Sequence, residues 1–123
     1  MTSDEQTTVG ELKQAVAAFV AARDWQAFHS PKNLAMSVSI EAAELMECFQ
    51  WLTNEQSQAA VTDPGMRSAA ADELADVLIY CLSLGNALGL DLATAVQAKL
   101  ETNEARYPVD DFRGRFRKPE RQR

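Results

Sequence analysis

The sequence is poor in the residues that bind metals through nitrogen or sulfur, with two cysteines and one histidine. Cys48 and Cys81 stand apart, with no CxxC spacing and no companion histidine, which argues against a zinc site and against a disulfide framework. The lone histidine, His29, argues against a di-iron bundle, because such bundles use Glu-x-x-His pairs on two helices. Free thiols are typical of a reducing compartment, so we expect a cytoplasmic protein.

A long hydrophobic run is also missing. The longest uncharged hydrophobic stretch, residues 77–90, is too short to span a bilayer and is interrupted by small and polar residues. The N-terminal segment MTSDEQTTVGEL opens with acids, whereas a secretory signal peptide opens with basic residues followed by an apolar run. We therefore expect a soluble protein with no membrane partner.

Positive charge is scarce outside the C-terminal end. Residues 1–106 carry 15 acids and 6 bases (net −9), whereas residues 107–123 carry 3 acids and 6 bases (net +3). An acidic body argues against binding of a nucleic-acid polymer, since phosphate binding is led by lysine and arginine clusters. Charge patterning favours a solvated or docked basic tail over a nucleic-acid arm.

Helix signals divide the chain, and no segment alternates with the period of a strand. Thr8 and Glu11 form a capping box before the first helix, and Gly89 supplies a stop after the third. The other start signals are N-cap residues, two of them followed by proline: Ser30, Asp63 and Asp91. The predicted helices span residues 8–23, 31–52, 64–88 and 92–107. The sequence therefore predicts an all-α protein.

Two pairs of acids interrupt the two most apolar of these helices. Glu41 and Glu44 lie in EAAELMECF, and Glu73 and Asp76 lie in DELADVLIY. Residues three apart share one face of a helix, and neither pair has a lysine or arginine at the neighbouring helical positions. A single ExxE pair is typical of a solvated surface, but two unpaired pairs on apolar helices favour a bound cation, because unpaired buried charge is costly. Carboxylates without histidine or cysteine favour Mg²⁺, with Mn²⁺ as the other choice.

A carboxylate-bound Mg²⁺ indicates phosphate chemistry, because this ion usually completes its shell with water and substrate phosphates. Phosphates need further cations. Lys99, Asn103 and Arg106 are spaced to share one face of the fourth helix, which fits phosphate binding and an ordinary solvated face equally well. Lys32 and Asn33, at the start of the second helix, are candidates for an anion-binding corner.

Aromatic residues cluster near the end of the first helix and the end of the second. Trp25, Trp51 and His29 can stack on or bind a nucleobase, although two tryptophans in a small core are more often packing residues. His29 taken alone favours a structural hydrogen-bonding role.

Four blocks together carry a resemblance to a known family. The segments DWQAFHSPKNL, EAAELMECFQW, DELADVLIY and KLETNEARYP resemble the MazG-like all-α nucleoside triphosphate pyrophosphatases, over about residues 8–108. The first block and FQW are especially similar to the dCTP pyrophosphatase branch. The resemblance implies a four-helix, bundle-like MazG fold over residues 1–108 that oligomerises through its helices as a homodimer or homotetramer. Residues 109–123 are then a flexible basic tail.

The resemblance also implies a reaction and assigns residues to it. The reaction is hydrolysis between the α and β phosphates of a nucleoside triphosphate, with Mg²⁺, to give the monophosphate and pyrophosphate. The implied metal ligands are Glu41, Glu44, Glu73 and Asp76, and Glu41 or Glu44 would orient the attacking water. The residues implied near the phosphates and sugar are Lys99, Asn103, Arg106, Tyr107 and Tyr80. Those implied in the base-pocket segments are Trp25, His29 and Trp51.

The preferred base stays open at this level. The resemblance favours dCTP or a modified dCTP, but Val16 and Met36 are apolar where a polar residue would refine base choice. The same chemistry on dUTP or another non-standard nucleotide is one alternative. A helical module that senses a nucleotide or metal without turnover is the other.

Overall fold

The computed structural model describes residues 2–115, and all regular elements within this range are helical. The α-helices are α1 (Val9–Ala22), α2 (Pro31–Glu47), α3 (Asn54–Ser57), α4 (Pro64–Leu88), α5 (Leu92–Arg106) and α6 (Val109–Phe112). Short 3₁₀ helices span Gln26–Phe28 and Gln58–Val61. The prediction of an all-α protein is confirmed. Residues 116–123, most of the predicted tail, lie outside the described range.

The four predicted start signals are confirmed as helix caps. The backbone N–H of Glu11 donates to the Thr8 hydroxyl (3.1 Å), and the N–H of Thr8 donates to the Glu11 carboxylate (2.7 Å). The other three long helices begin with the same kind of bond, from a backbone N–H to a cap side chain three residues earlier. These cap residues are Ser30, Asp63 and Asp91. Local side-chain chemistry thus sets where these helices begin.

The predicted end of the second helix is wrong, because α2 stops at Glu47 rather than near Leu52. Beyond Glu47 the chain turns through bonds to the carbonyl three residues back, as from the Phe49 N–H to the Met46 oxygen (2.9 Å). Such bonds tighten the last turn of a helix. Thr53 then forms a capping box with Gln56 and starts α3. This local signal competes with continuation of α2.

The chain divides into two compact units, residues 1–90 and 91–123. In the first unit, α4 packs most extensively against α2 and also contacts α1 and the second 3₁₀ helix. Glu41, within α2, meets Glu73 and Asp76 of α4. His29, just before α2, lies beside Tyr80, later in α4, with ring centroids 6.5 Å apart. The helices α2 and α4 therefore run in opposite directions, which brings their acid pairs to the same level.

The second unit contains α5 and α6 in its described part. The short helix α6 falls in the segment predicted as tail, and Phe112 packs edge-on against Tyr107 with ring centroids 5.1 Å apart. An ordered turn of helix thus begins the segment for which the sequence predicts only flexibility. The prediction of a domain over residues 1–108 stays a prediction.

Few side chains in the described part of the chain are fully buried. Leu34, at 1% exposure, is the largest of them, and Val20 and Ser83 are the other buried side chains of this small core. Many large apolar side chains remain substantially exposed. No single helix among residues 2–115 is both long and apolar enough to cross a membrane; only α4 and α5 taken together as one broken span meet that test.

Candidate metal centre

Three of the four predicted ligand acids converge. Glu41 on α2 and Glu73 and Asp76 on α4 each offer one carboxylate oxygen, and these oxygens all lie within 4.8 Å of one another. Glu44 lies outside this set of three, but its carboxyl is hydrogen-bonded to that of Glu41. The antiparallel packing of α2 against α4 therefore assembles one four-acid cluster from pairs that are about thirty residues apart in sequence.

Two carboxylates of the cluster each hold one oxygen without any hydrogen-bond partner. The Oε2 atoms of Glu41 and Glu73 are buried and unpartnered within the described structure. A buried acceptor normally finds a donor, and an orphaned one costs free energy. Both oxygens are therefore available to a ligand.

Repulsion between the acids of the cluster contributes to raised pKa values at Glu41 and Glu73. A hydrogen bond with Glu44, burial and the charges of the neighbouring acids raise the pKa of Glu41 from 4.5 to about 6. Burial is the main cause that raises the pKa of Glu73, followed by the charges of Glu44 and Asp76. Each of these influences disfavours ionisation, and none is a positive charge. Joint ionisation of all four acids is therefore favourable only with a neighbouring positive charge.

The donor set fits a hard divalent ion. All the donors are carboxylate oxygens, which Mg²⁺ and Mn²⁺ prefer. Opposite ligands of an octahedral Mg²⁺ lie about 4.2 Å apart, so oxygens within 4.8 Å of one another can bind one ion after only small side-chain movements. The orphaned oxygens of Glu41 and Glu73 are suitably placed as its first ligands.

The residues predicted to bind the base are not brought together as one group. His29 lies beside the Tyr80 ring, and its Nδ1 is buried without a hydrogen-bond partner in the described structure. Trp25 instead packs edge-on against Phe19, with ring centroids 5.8 Å apart. Trp51 follows the end of α2 and is 86% exposed. Of the aromatic group, only His29 is thus linked by a ring contact to the acid-bearing face of α4.

The two residues predicted as an anion-binding corner differ in their surroundings. The backbone N–H of Asn33 donates to the Ser30 hydroxyl (3.2 Å), and its side-chain amide donates to the Phe28 carbonyl (3.3 Å). Asn33 therefore serves first to join α2 to the turn before it. Lys32 is exposed in the first turn of α2.

The predicted phosphate-binding residues all belong to the second unit. Lys99, Asn103 and Arg106 lie on α5, and Tyr107 ends that helix, with its N–H donating to the Asn103 carbonyl (2.7 Å). The Arg106 guanidinium lies 5.7 Å from the centre of the Tyr107 ring. Their role toward a phosphate stays a prediction.

A pocket further along α4 contains residues for which the sequence predicts no role. It has a volume of about 380 Å³ and lies between α1, the first 3₁₀ helix and α4. We name it the α1/α4 pocket. Its lining residues are Ala17, Val20, Ala21, Gln26, His29, Ser83, Asn86 and Ala87. Ser83 and Asn86 interrupt the apolar stretch that follows Asp76 with polar side chains. This interruption is the sequence signal that could have identified these two pocket residues.

Comparison with known proteins agrees with this geometry. The model of the MazG-like family matches residues 36–118. The chain belongs to the MazG-like family. The match covers both acid-bearing segments of this MazG-like chain, and it confirms the resemblance carried by its sequence blocks.

Within this family, the chain is similar to curated relatives and to a solved structure. The chain is 39% identical to dCTP pyrophosphatase 1 of Bos taurus over 109 residues, which are 89% of this chain and 64% of that protein. It is 38% identical to dCTP pyrophosphatase 1 of Homo sapiens over 113 residues, 92% of this chain and 66% of that protein. The chain thus spans just under two thirds of the length of these relatives. A crystal structure of a pyrophosphatase from Archaeoglobus fulgidus DSM 4304 superimposes with a TM-score of 0.75 at 37% identity, covering 88% of this chain and 99% of that one.

Proposed function

We propose that this MazG-like protein is a Mg²⁺-dependent nucleoside triphosphate pyrophosphohydrolase. The observation that carries the proposal is the convergence of three carboxylate oxygens within 4.8 Å, on acids that all lie within the family match. Two of the acids keep a buried oxygen without a partner. A purely structural bundle has little reason to carry such costly groups.

In this reaction a water oxygen attacks the α phosphorus, and the bond from that phosphorus to the oxygen bridging to the β phosphorus breaks. The products are the nucleoside monophosphate and pyrophosphate. When bound, Mg²⁺ supplies positive charge that neutralises phosphate oxygens and the leaving pyrophosphate. Glu41, Glu73 and Asp76 would hold the ion, together with Glu44 of the same cluster.

Other residues supply orientation and charge. One carboxylate of the hydrogen-bonded pair Glu41 and Glu44 orients the attacking water and takes its proton. Lys99, Asn103 and Arg106 contribute cationic and amide donors to the phosphates, and Tyr80, one turn after Asp76, completes the binding face. The residues that we further assign to substrate binding are Trp25, His29, Lys32, Asn33, Trp51 and Tyr107.

The substrate that we propose is dCTP or a modified dCTP. The support is the similarity to dCTP pyrophosphatase 1 from several mammals at 38–39% identity. The same chemistry on dUTP or on another non-standard nucleotide is the second candidate, because the acid cluster would hold the ion that meets the phosphates and would not distinguish one base from another.

We also propose that the active form is a homodimer or homotetramer. Large apolar side chains on α2 and α4 stay about half exposed, as at Ile40 (59%), Met46 (58%) and Leu78 (54%). Contiguous exposed apolar surface marks an interaction site. Helix faces of another copy of the chain would cover it.

The test is a panel of nucleoside triphosphates with Mg²⁺ and detection of released pyrophosphate. We expect release from dCTP, and its loss by at least a thousandfold in Glu73→Gln, because one ligand of the ion is removed. Glu101→Gln, at an exposed acid of α5, is the control and should retain activity. Nucleotide binding without pyrophosphate release from any substrate would replace the proposal with a sensing module.

A further inference from the structure

We propose that the α1/α4 pocket receives the base of the nucleotide and that Asn86 and Ser83 select a base with an exocyclic amino group. The inference rests on the proposed function, because the acid cluster is taken to hold the Mg²⁺ that meets the phosphates. It concerns residues that the sequence blocks of the family resemblance do not single out.

The pocket lies on the continuation of the acid-bearing face of α4. Glu73, Asp76, Tyr80 and Ser83 follow one another at intervals of three, four and three residues, so they share one face of the helix. Ser83 is seven residues beyond Asp76, about 10 Å along the helix axis. A deoxyribose and a base reach over a comparable distance from the α phosphate. The contact between His29 and Tyr80 connects the pocket wall to this same face.

The other large pocket of the described structure is placed less well for this role. It has a volume of about 600 Å³ and lies between α2, the second 3₁₀ helix and the beginning of α4. On α4 it is lined by Arg67, Ala70, Ala71 and Leu74, which follow a different helical stripe from Glu73 and Asp76. Its lining is apolar except for Arg67, so it offers few groups that distinguish one base from another.

The shape of the α1/α4 pocket suits a flat heterocycle with one polar edge. Ala17, Ala21 and Ala87 form small apolar parts of the wall, whereas Gln26 and Asn86 bring amides to it. A ligand pocket that is partly apolar with a few polar groups is the usual design for orienting a small molecule. The volume of about 380 Å³ holds a base with its sugar.

Asn86 has a fixed orientation that determines what it can bind. Its side-chain Nδ2 donates to the backbone carbonyl of Lys13 (3.0 Å). The amide NH₂ therefore points toward α1, and Oδ1 is the end left to accept a hydrogen bond. An exocyclic amino group, as in cytosine or adenine, can donate to this oxygen. The keto oxygen at the same place in uracil would face it as a second acceptor.

Ser83 supplies a second polar group inside the pocket. Its side chain is only 6% exposed and belongs to the pocket lining. A ligand that enters the pocket can therefore reach its hydroxyl. A hydroxyl can donate to the ring nitrogen or carbonyl that stands beside the amino group.

The pocket assignment is tested by binding of the non-hydrolysable analogue α,β-imido-dCTP with Mg²⁺, measured by calorimetry. Ala21→Leu fills the pocket from an exposed position of α1 and should weaken binding by at least tenfold. Ala18→Leu makes the same change at an exposed position of α1 outside the pocket lining and should change it less than twofold. Equal affinity of the two variants overturns the assignment.

Base selection is tested with dCTP and dUTP in the pyrophosphate assay. The wild type should show at least a tenfold higher kcat/KM for dCTP, and Asn86→Ala should reduce that ratio toward one. Ser83→Ala, which leaves the bond between Asn86 and Lys13 in place, should raise KM for dCTP about tenfold with kcat nearly unchanged, the effect of one lost hydrogen bond. An unchanged KM in Ser83→Ala overturns the role of Ser83, even where Asn86→Ala fails to fold.

These experiments separate this inference from the proposed function. If the wild type releases pyrophosphate and the pocket substitutions have no effect, the proposed function is retained and the pocket assignment is rejected. If the pocket substitutions weaken binding of the imido analogue but no triphosphate releases pyrophosphate, the proposed function is rejected and the pocket assignment is retained.

Discussion

In the proposed function, the acids of the cluster stabilise the protein with its ion bound and destabilise the free protein. Glu41 and Glu73 each hold a buried oxygen without a partner, and neighbouring acids raise the pKa of both. Such groups are neutral or strained in the absence of a cation and become useful when one binds. This view makes separate predictions for each residue.

The first prediction concerns Glu73→Gln in the metal-free protein. Removing one charge from the cluster relieves repulsion, so the melting temperature in EDTA should rise by several degrees. Differential scanning calorimetry measures it, with Glu101→Gln as a control for the loss of an exposed acid. A fall in melting temperature would show that the Glu73 carboxylate makes a stabilising hydrogen bond instead.

The second prediction is a pH dependence caused by Glu41. Its pKa in the folded protein is raised from 4.5 to about 6, so the neutral form is favoured by folding. Its contribution to stability is therefore complete below about pH 4.5 and is lost as the pH rises through 6.

The comparison that isolates this effect is with Glu41→Gln, which is neutral at every pH. Denaturant unfolding without metal should give similar stabilities for both proteins at pH 4, whereas the wild type should be the less stable protein at pH 7.5. Saturating Mg²⁺ should remove the disadvantage of the wild type at pH 7.5. Parallel pH profiles in EDTA would contradict the raised pKa.

At the scale of the element, α4 carries most of the site and is defined by signals at its two ends. Asp63 caps its start, and Gly89 ends it with a φ of 64°. Between them the acids, Tyr80 and the pocket residues Ser83 and Asn86 occupy one continuous helix. A change at either end therefore affects the helix to which we assign the metal and base sites.

The third prediction compares two glycines. Gly89→Ala should lower the free energy of unfolding by about 1 kcal/mol, because a left-handed conformation is strained for alanine. Gly10→Ala should leave stability unchanged or raise it, since its Cβ would meet only the Thr8 hydroxyl at an ordinary 3.7 Å and alanine favours helix. Urea unfolding measures both. If Gly89→Ala leaves the free energy of unfolding unchanged, as Gly10→Ala does, the role of the left-handed cap is contradicted.

At the scale of the whole molecule, the described residues form a small core and one cluster of mutually repelling acids, so ligand binding should have a large effect on stability. The fourth prediction is that Mg²⁺ at a hundred times its dissociation constant raises the free energy of unfolding by about 2.7 kcal/mol through mass action. Chemical unfolding with and without Mg²⁺ measures it. The increase should disappear in Glu73→Gln. A wild type that unfolds identically with and without Mg²⁺ would count against the metal centre.

The sequence by itself determined what depends on neighbouring residues in the chain. N-caps, the Gly89 stop and the spacing within each acid pair act over three or four residues, and the structure contains all of them. The family followed from ordered blocks of sequence, which the family match confirms. The predicted end of α2 is wrong because the capping box at Thr53 starts a new helix, and this local signal outweighs the longer apolar pattern.

Only the tertiary structure decided what depends on residues far apart in sequence. The packing of α2 against α4 brings Glu41 to Glu73 and Asp76, which spacing within one helix cannot specify. The packing of α1 against α4 places Ser83 and Asn86 in a pocket, and Trp51 stays exposed. Side-chain type and helical spacing indicate which face of a helix a residue occupies. They do not indicate which other element covers that face, because this depends on how all the helices of the first unit pack together. The acids could therefore be predicted from the sequence, and the pocket could not.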